Sequence, residues 1–209
     1  MSIWSWDGIR PVIDPAAFVH PDATVIGDVI VGPAVYVGPG AVLRGDFGRI
    51  VLEQGCNVQE TCVVHSFPGK DVMVGEGGHI GHGAVLHGCH IGRNAMVGMN
   101  AVVMDEAEIG ENAIVAAMAF VKAGAQIPAG ALAVGSPARV VRMLTGAEID
   151  WKRRGTAIYQ RLALEARYRL APTTPLDAAE PGRKRAQAPD YDPLILDRAG
   201  DSIPVSAPT

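Results

Sequence analysis

His65, His82 and His87 lie close enough in the chain to serve one metal ion, and neutral imidazole is a preferred zinc ligand. Five of the six histidines fall between residues 65 and 90. His65 follows Val64, His87 follows Leu86, and Arg44 follows Leu43 in the same way. Asp46 lies two residues beyond Arg44, and Gln59 follows Val58. A metal held by three imidazoles lowers the pKa of a bound water to ~7 and so supplies a nucleophile at neutral pH. An Arg–Asp pair beside such a centre would hold its charge and geometry. A Gln beside it would orient the nucleophile. Hydration or hydrolysis by activated water is the chemistry these residue types suggest.

What must position them is a repeat. An aliphatic residue returns every six positions: Val19, Val25, Val31, Val37 and Leu43, then Leu52, Val58 and Val64, then Val74, Ile80 and Leu86. After a slip of one residue the series resumes at Ile91, Val97, Val103, Ile109, Val115, Val121 and Ile127. Four positions after most of these stands a small residue, such as Ala23, Ala41, Ala95, Ala101, Ala107 or Ala113. A period of six is neither the helical 3.6 nor strand alternation. It fits a short strand, a sharp corner and the next short strand, three of which close a triangular coil of about 18 residues. Successive coils then stack ~4.8 Å apart by parallel pairing. The sequence predicts an all-β parallel β-helix of about six to seven coils over residues 19–136.

Threading the three histidines onto that prism gives a geometry. His65 and His87 occupy the same place in successive coils of one wall and point outward, with Arg44 on the coil below. Residues 66–73 form an extruded loop. His82 and Gln59 belong to a different wall, so His82 does not complete a site within one subunit. A neighbouring prism about a threefold axis would present it to His65 and His87. The expectation is a homotrimer with three metal sites between subunits. Arg44 and Asp46 would serve there as a salt bridge at the interface, as support for the site, or as both. His20, His79 and His90 are read as solvated, Cys56 and Cys62 as core fillers, and Cys89 is left out of the ligand set.

Beyond the prism, Thr145 and Glu148 form a capping box that opens a helix over about residues 146–170. Ile149, Ile158, Leu162 and Ala166 are its expected inward face. The domain division is 1–137 for the β-helix and its lead-in, 138–170 for the helix packed on the prism, and 171–209 for a Pro-rich extended tail, ordered by wrapping a neighbour if at all. Two basic runs, Lys152–Arg153–Arg154 and Arg183–Lys184–Arg185, are either solvated faces or contacts for the phosphates of coenzyme A.

Composition excludes other classes. The 209 residues carry a net charge of −4 with no long basic run, which argues against nucleic acid as a partner. No apolar stretch reaches the ~20 residues that span a bilayer, so no membrane role is expected. The opening MSIWSWDGIRP lacks the basic and apolar regions of a signal peptide, and three cysteines make no disulfide framework. A cytoplasmic protein is expected. Gly and Pro, at 25 and 15 residues, favour many tight turns over a helical bundle.

At these residues the chain resembles a known family. The run RGDFGRI…NVQETCVVH…GHIGHGAVLHG…VGMNAVV is similar to the γ-class carbonic anhydrases. The resemblance implies a left-handed β-helix, a C-terminal helix and a trimer with Zn2+ between subunits, with Fe2+ and Co2+ as other ions that imidazole accepts. It implies His65, His82 and His87 as metal ligands and Arg44, Asp46 and Gln59 as the catalytic group. Within the family, residues 8–186 look most like its phenylacetate-degradation members, with EPGRKR near the C-terminus favouring these over the carnitine-operon members. That likeness implies a metal-dependent acyl-CoA thioesterase of phenylacetate catabolism, hydrolysing ring-oxidised phenylacetyl-CoA derivatives with metal-activated hydroxide. The alternative is CO2 hydration by the same residues. It ranks second because Phe47 stands where the archetypal enzyme has Glu, and the 66–73 loop has Asp71 as its one acidic residue, which leaves no evident proton shuttle. A hexapeptide acyltransferase and a non-enzymatic CoA-binding scaffold rank lower.

Overall fold

The structure is a computed structural model that describes residues 2–187 and 189–192. The chain divides into two units, Met1–Ala171 and Pro172–Thr209. The described residues of the second unit form no helix or strand, and the predicted tail from residue 193 onward lies outside the described residues.

The first unit is a parallel β-helix of about seven turns followed by one helix. Wall one stacks Val25, Leu43, Val64, Leu86, Val103 and Val121 in register. Wall two stacks Ile13, Val31, Leu52, Val74, Ile91, Ile109 and Ile127. Wall three stacks Val19, Val37, Val58, Ile80, Val97, Val115 and Ala133. These residues fill the prism with the small corner residues, Ala23, Ala41, Cys56, Cys62, Ala95 and Ala101 among them. Burial of that continuous apolar column stabilises the fold at roughly 25 cal/mol per Å² removed from water. Each coil lends its backbone donors and acceptors to the next, so no coil is stable alone.

The one-residue slip after Leu86 is taken up at a corner. Gly88 adopts φ +56°, and a Cβ there would meet Asp105 Oδ1 at 2.5 Å. The left-handed φ favours glycine, and a side chain here would displace the Asp105 carboxylate of the coil above. This tight corner immediately follows His87. At the top of the prism, Arg139–Met143 runs antiparallel to Ala131–Val134 and ends the parallel stack.

The helix spans Gly146–Arg169 and starts with the predicted capping box. Thr145 Oγ1 accepts from the Glu148 amide at 3.3 Å, and the Thr145 amide donates to Glu148 Oε2 at 2.8 Å. Arg142 holds the same carboxylate with two bonds of 2.7 and 2.8 Å, tying the helix start to the last strand.

The inward face of the helix differs from the expectation. Leu162 is 39% exposed, while Glu148, Lys152, Gly155, Thr156 and Ala163 are buried. The physical reason is that the helix lies over prism corners that present polar groups. Lys152 Nζ donates to Gly77 O at 2.6 Å and to Asn94 Oδ1 at 2.8 Å, and Gln160 Nε2 donates to Gly55 O at 3.0 Å. An apolar cluster forms where Ala163, Tyr159 and Ala166 meet Phe18 and Tyr36. Lys152 therefore does not belong to a surface basic run. No helix among the described residues is long and apolar enough to cross a membrane.

Candidate functional site

The predicted stacking is present on wall one. His65 pairs with His87 in register, one coil above the other. Asp46 Oδ1 lies 3.0 Å from His65 Nε2, and Asp105 Oδ1 lies 2.8 Å from His87 Nδ1. Each carboxylate accepts a ring N–H, which fixes both tautomers. The two remaining nitrogens, His65 Nδ1 and His87 Nε2, face each other at 3.3 Å. A proton on one ring or a metal ion between the two would join the pair. Two nitrogens bound to one tetrahedral ion at ~2.05 Å would lie about 3.3 Å apart, so the pair fits two positions of a zinc-type site.

Charge around the pair is arranged to keep it ready. Burial pushes His65 below the ordinary histidine value, with the Arg44 charge adding to that and Asp46 opposing it. Burial alone would raise Asp46, but hydrogen bonds from Arg44 and His65 overrule it and hold the carboxyl below its usual range. Arg44 Nη1 donates to Asp46 Oδ2 at 2.6 Å. The chain Arg44–Asp46–His65 thus keeps the carboxylate charged and the imidazole neutral.

Beside this chain lies an aromatic lip. The Phe47 ring centroid is 5.2 Å from that of His65, and the Arg44 guanidinium carbon is 5.7 Å from the Phe47 centroid. Phe47 is 48% exposed and Phe67 is 58% exposed. The loop carrying Phe67 is pinned to Phe47, because the Gly69 amide donates to Phe47 O at 2.9 Å. Gly48 allows that approach, since a Cβ there would fall 1.8 Å from Lys70 O.

His82 lies on the wall-three side, where its Nδ1 meets Glu60 Oε2 at 2.5 Å. Glu60 Oε1 in turn accepts from the Tyr36 hydroxyl at 3.0 Å. Gln59 is buried beside Asn57 and His79, with Nε2 at 2.9 Å from Asn57 Oδ1 and 2.7 Å from His79 Nε2. The His79 ring stands edge-on to Tyr159 at 5.2 Å. Among the described residues, no three His, Cys, Asp or Glu side chains converge on one ion position. One subunit brings together His65, His87, Arg44 and Asp46, and holds Gln59 and His82 elsewhere.

The solvated reading of His79 is corrected. Burial by Tyr159 and the coils around it pushes its pKa down to about 3. The sequence reading also missed Asp105, Glu60, Asn57 and Tyr159. A signal existed for two of them. Asp105 follows His87 by 18 residues, one full coil. Asn57 precedes Gln59 by two on the same strand face and lies in register with His79. Tyr159 had none, because helix docking sets its position. Cys56, Cys62 and Cys89 are all buried in the prism, where burial pushes Cys62 to about 11 and Cys89 to about 12.

Fold and site together define a hexapeptide-repeat β-helix protein that presents a paired-imidazole centre on one wall. The model of the bacterial transferase hexapeptide family (six repeats) matches residues 10–45 and 88–123. The carnitine operon protein CaiE of Salmonella dublin is 57% identical over 185 residues, covering 88% of this chain and 93% of that protein. A hexapeptide transferase family protein from Anaplasma phagocytophilum is 36% identical in sequence and superposes with a TM-score of 0.75, covering 78% of this chain and 96% of that one. A solved Bacillus cereus structure at 33% identity gives a TM-score of 0.78, covering 78% of this chain and 95% of that one. The chain belongs to the hexapeptide-repeat transferase family, as a homologue of the CaiE proteins, and its fold is the left-handed parallel β-helix.

Proposed function

We propose that the chain is a metal-dependent hydrolase of acyl-CoA thioesters, working as a homotrimer with a site at each subunit interface. The observation that carries this reading is the 3.3 Å approach of two imidazole nitrogens, each ring held by its own carboxylate. His65 and His87 of one subunit and His82 of the next would hold the ion, Zn2+ or alternatively Fe2+ or Co2+. When bound, the ion supplies Lewis acidity that makes water a nucleophile near neutral pH.

The chain's own residues would do the rest. Asp46, kept charged by Arg44, and Asp105 orient the two rings. Gln59 orients the attacking water. Water adds to the thioester carbonyl, the C–S bond breaks, and the thiol leaves with a proton. Phe47 and Phe67 offer an apolar, aromatic rim to the acyl group. That rim suits the ring-oxidised phenylacetyl-CoA compounds handled by the phenylacetate-degradation protein PaaY, to which the chain's EPGRKR segment is similar. The CaiE relatives favour instead an acyl-CoA drawn from carnitine metabolism.

The test is hydrolysis of phenylacetyl-CoA, its ring-oxidised derivatives and carnitine-derived acyl-CoA by protein purified without chelator, with metal content, mass in solution and CO2 hydration measured on the same sample. Metal-dependent thioester cleavage by a trimer is expected. CO2 hydration without cleavage would make the protein a carbonic anhydrase.

A second reading has its own observation. His82 is exposed and has a carboxylate on Nδ1, which leaves Nε2 as a general base for acyl transfer from CoA, the chemistry that the transferase family name suggests. Acyl transfer to an amine or alcohol by metal-free protein would establish it.

A further inference from the structure

Asn57, Gln59 and His79 form a closed triangle of contacts. Gln59 Nε2 meets Asn57 Oδ1 at 2.9 Å and His79 Nε2 at 2.7 Å, so both amide hydrogens are used inside the chain. His79 Nδ1 lies 3.3 Å from Asn57 Nδ2. A neutral imidazole has one N–H and one acceptor nitrogen. The short contact at Nε2 is to an amide nitrogen, so Nε2 is the acceptor and Nδ1 carries the ring proton. The 3.3 Å contact then sets N–H against N–H and is no hydrogen bond, because Asn57 has given its oxygen to Gln59.

The alternatives are few. Rotating the Gln59 amide alone sets its oxygen against Asn57 Oδ1. Rotating the Asn57 amide alone sets nitrogen against Gln59 Nε2. Rotating both places an oxygen opposite each ring nitrogen; imidazolium satisfies both contacts, and a neutral ring protonated at Nε2 satisfies the 2.7 Å contact only. In the arrangement of the structure, neutral His79 accepts at Nε2 and Gln59 Oε1 turns away from the triangle, whereas cationic His79 goes with the amide NH2 turned away. Burial, helped by the nearby Lys152 and His82 charges, keeps His79 neutral well below pH 7. Gln59 is 2% exposed, yet among the described residues its Oε1 accepts no hydrogen bond and is not a buried orphan atom.

We propose that His79 is a positioning residue whose unprotonated Nε2 locks the Gln59 amide with Oε1 outward, so that the site presents an acceptor to the proton of the attacking water. The role of the water rests on the hydrolase reading above. The locking of the amide rests on the triangle and on the burial of the His79 ring.

His79→Phe keeps a ring against Tyr159 and removes the acceptor. The expected result is a fall in kcat for thioester hydrolysis of about tenfold or more with KM held within about twofold. His79→Asn, which offers an amide oxygen to Gln59 Nε2, is expected to restore most of the rate. In a Gln59→Ala background His79→Phe is expected to cost nothing further. An undiminished loss there overturns the proposal, because His79 would then act other than through Gln59.

A readout independent of turnover comes from long-range ¹H–¹⁵N correlation spectra of the full chain. They are expected to show His79 as the Nδ1–H tautomer, with the Gln59 side-chain amide resonances moving in His79→Phe. A ring protonated at Nε2 overturns the locking. A wild-type protein that hydrolyses no acyl thioester overturns the hydrolase reading and the role of the water with it, while the spectrum alone decides whether His79 sets the amide.

Discussion

His65 Nδ1 and His87 Nε2 face each other at 3.3 Å although they are 22 residues apart, because the coil between them returns the chain to the same place on the wall above. At that distance the two nitrogens can share a proton or take up two positions around one metal ion. Asp46 and Asp105 each hold the other nitrogen of their ring, which fixes how the two rings face each other.

Asp105→Ala is expected to weaken metal binding about 10–100-fold by freeing the His87 ring, while the prism stays folded. His87→Ala is expected to abolish it. Competition against a chelator, read by metal analysis, measures both. Unchanged affinity in Asp105→Ala would remove the carboxylate from the site.

Gly48→Ala is expected to destabilise the protein by about 1–3 kcal/mol, because the new methyl group would fall 1.8 Å from Lys70 O and push the 66–71 loop off its seat. Urea unfolding measures the loss. Gly146→Ala is the control, since a Cβ there meets nothing within 4 Å, and it is expected to be neutral or slightly stabilising.

Lys152 gives the protein a pH dependence of known sign. Burial under the helix pushes its pKa down to about 7, whereas the unfolded chain keeps a value near ~10.4. Between those values the unfolded state binds a proton that the folded state has shed, so this group makes stability rise with pH. Wild-type stability is expected to gain on that of Lys152→Met between pH 7 and about pH 9.5. Denaturant melts of the two proteins across that range measure the difference, and a constant or falling difference overturns the assignment.

Thr145→Ala is expected to cost about 1 kcal/mol through loss of the helix cap, with the Arg142–Glu148 pair retained. Thermal melts measure it. A loss of several kcal/mol would mean that the whole helix leaves the prism.

The six-residue period was enough to place Val64 under Leu86, His65 under His87 and Cys56 and Cys62 in the core. Side chains in a stacked coil inherit their position from their number in the repeat, so counting does the work of geometry. The same counting places Arg44 beside His65 and keeps His82 on another wall. It also reaches Asp105 and Asn57, at one coil and two residues from known positions. The short apolar runs already implied that no helix among the described residues is long and apolar enough to cross a membrane.

Other features were invisible to counting. The inward face of the helix reads as apolar through Leu162, yet the buried side carries Lys152, Thr156 and Gln160, because the prism corners it covers present carbonyls and an amide oxygen that need donors. His79 reads as a lone surface histidine, yet Tyr159 from that helix closes over it. Repetition is local and is written in the chain. The docking of a non-repeating helix depends on which polar groups the finished prism leaves unsatisfied, and those exist only once the coils have stacked.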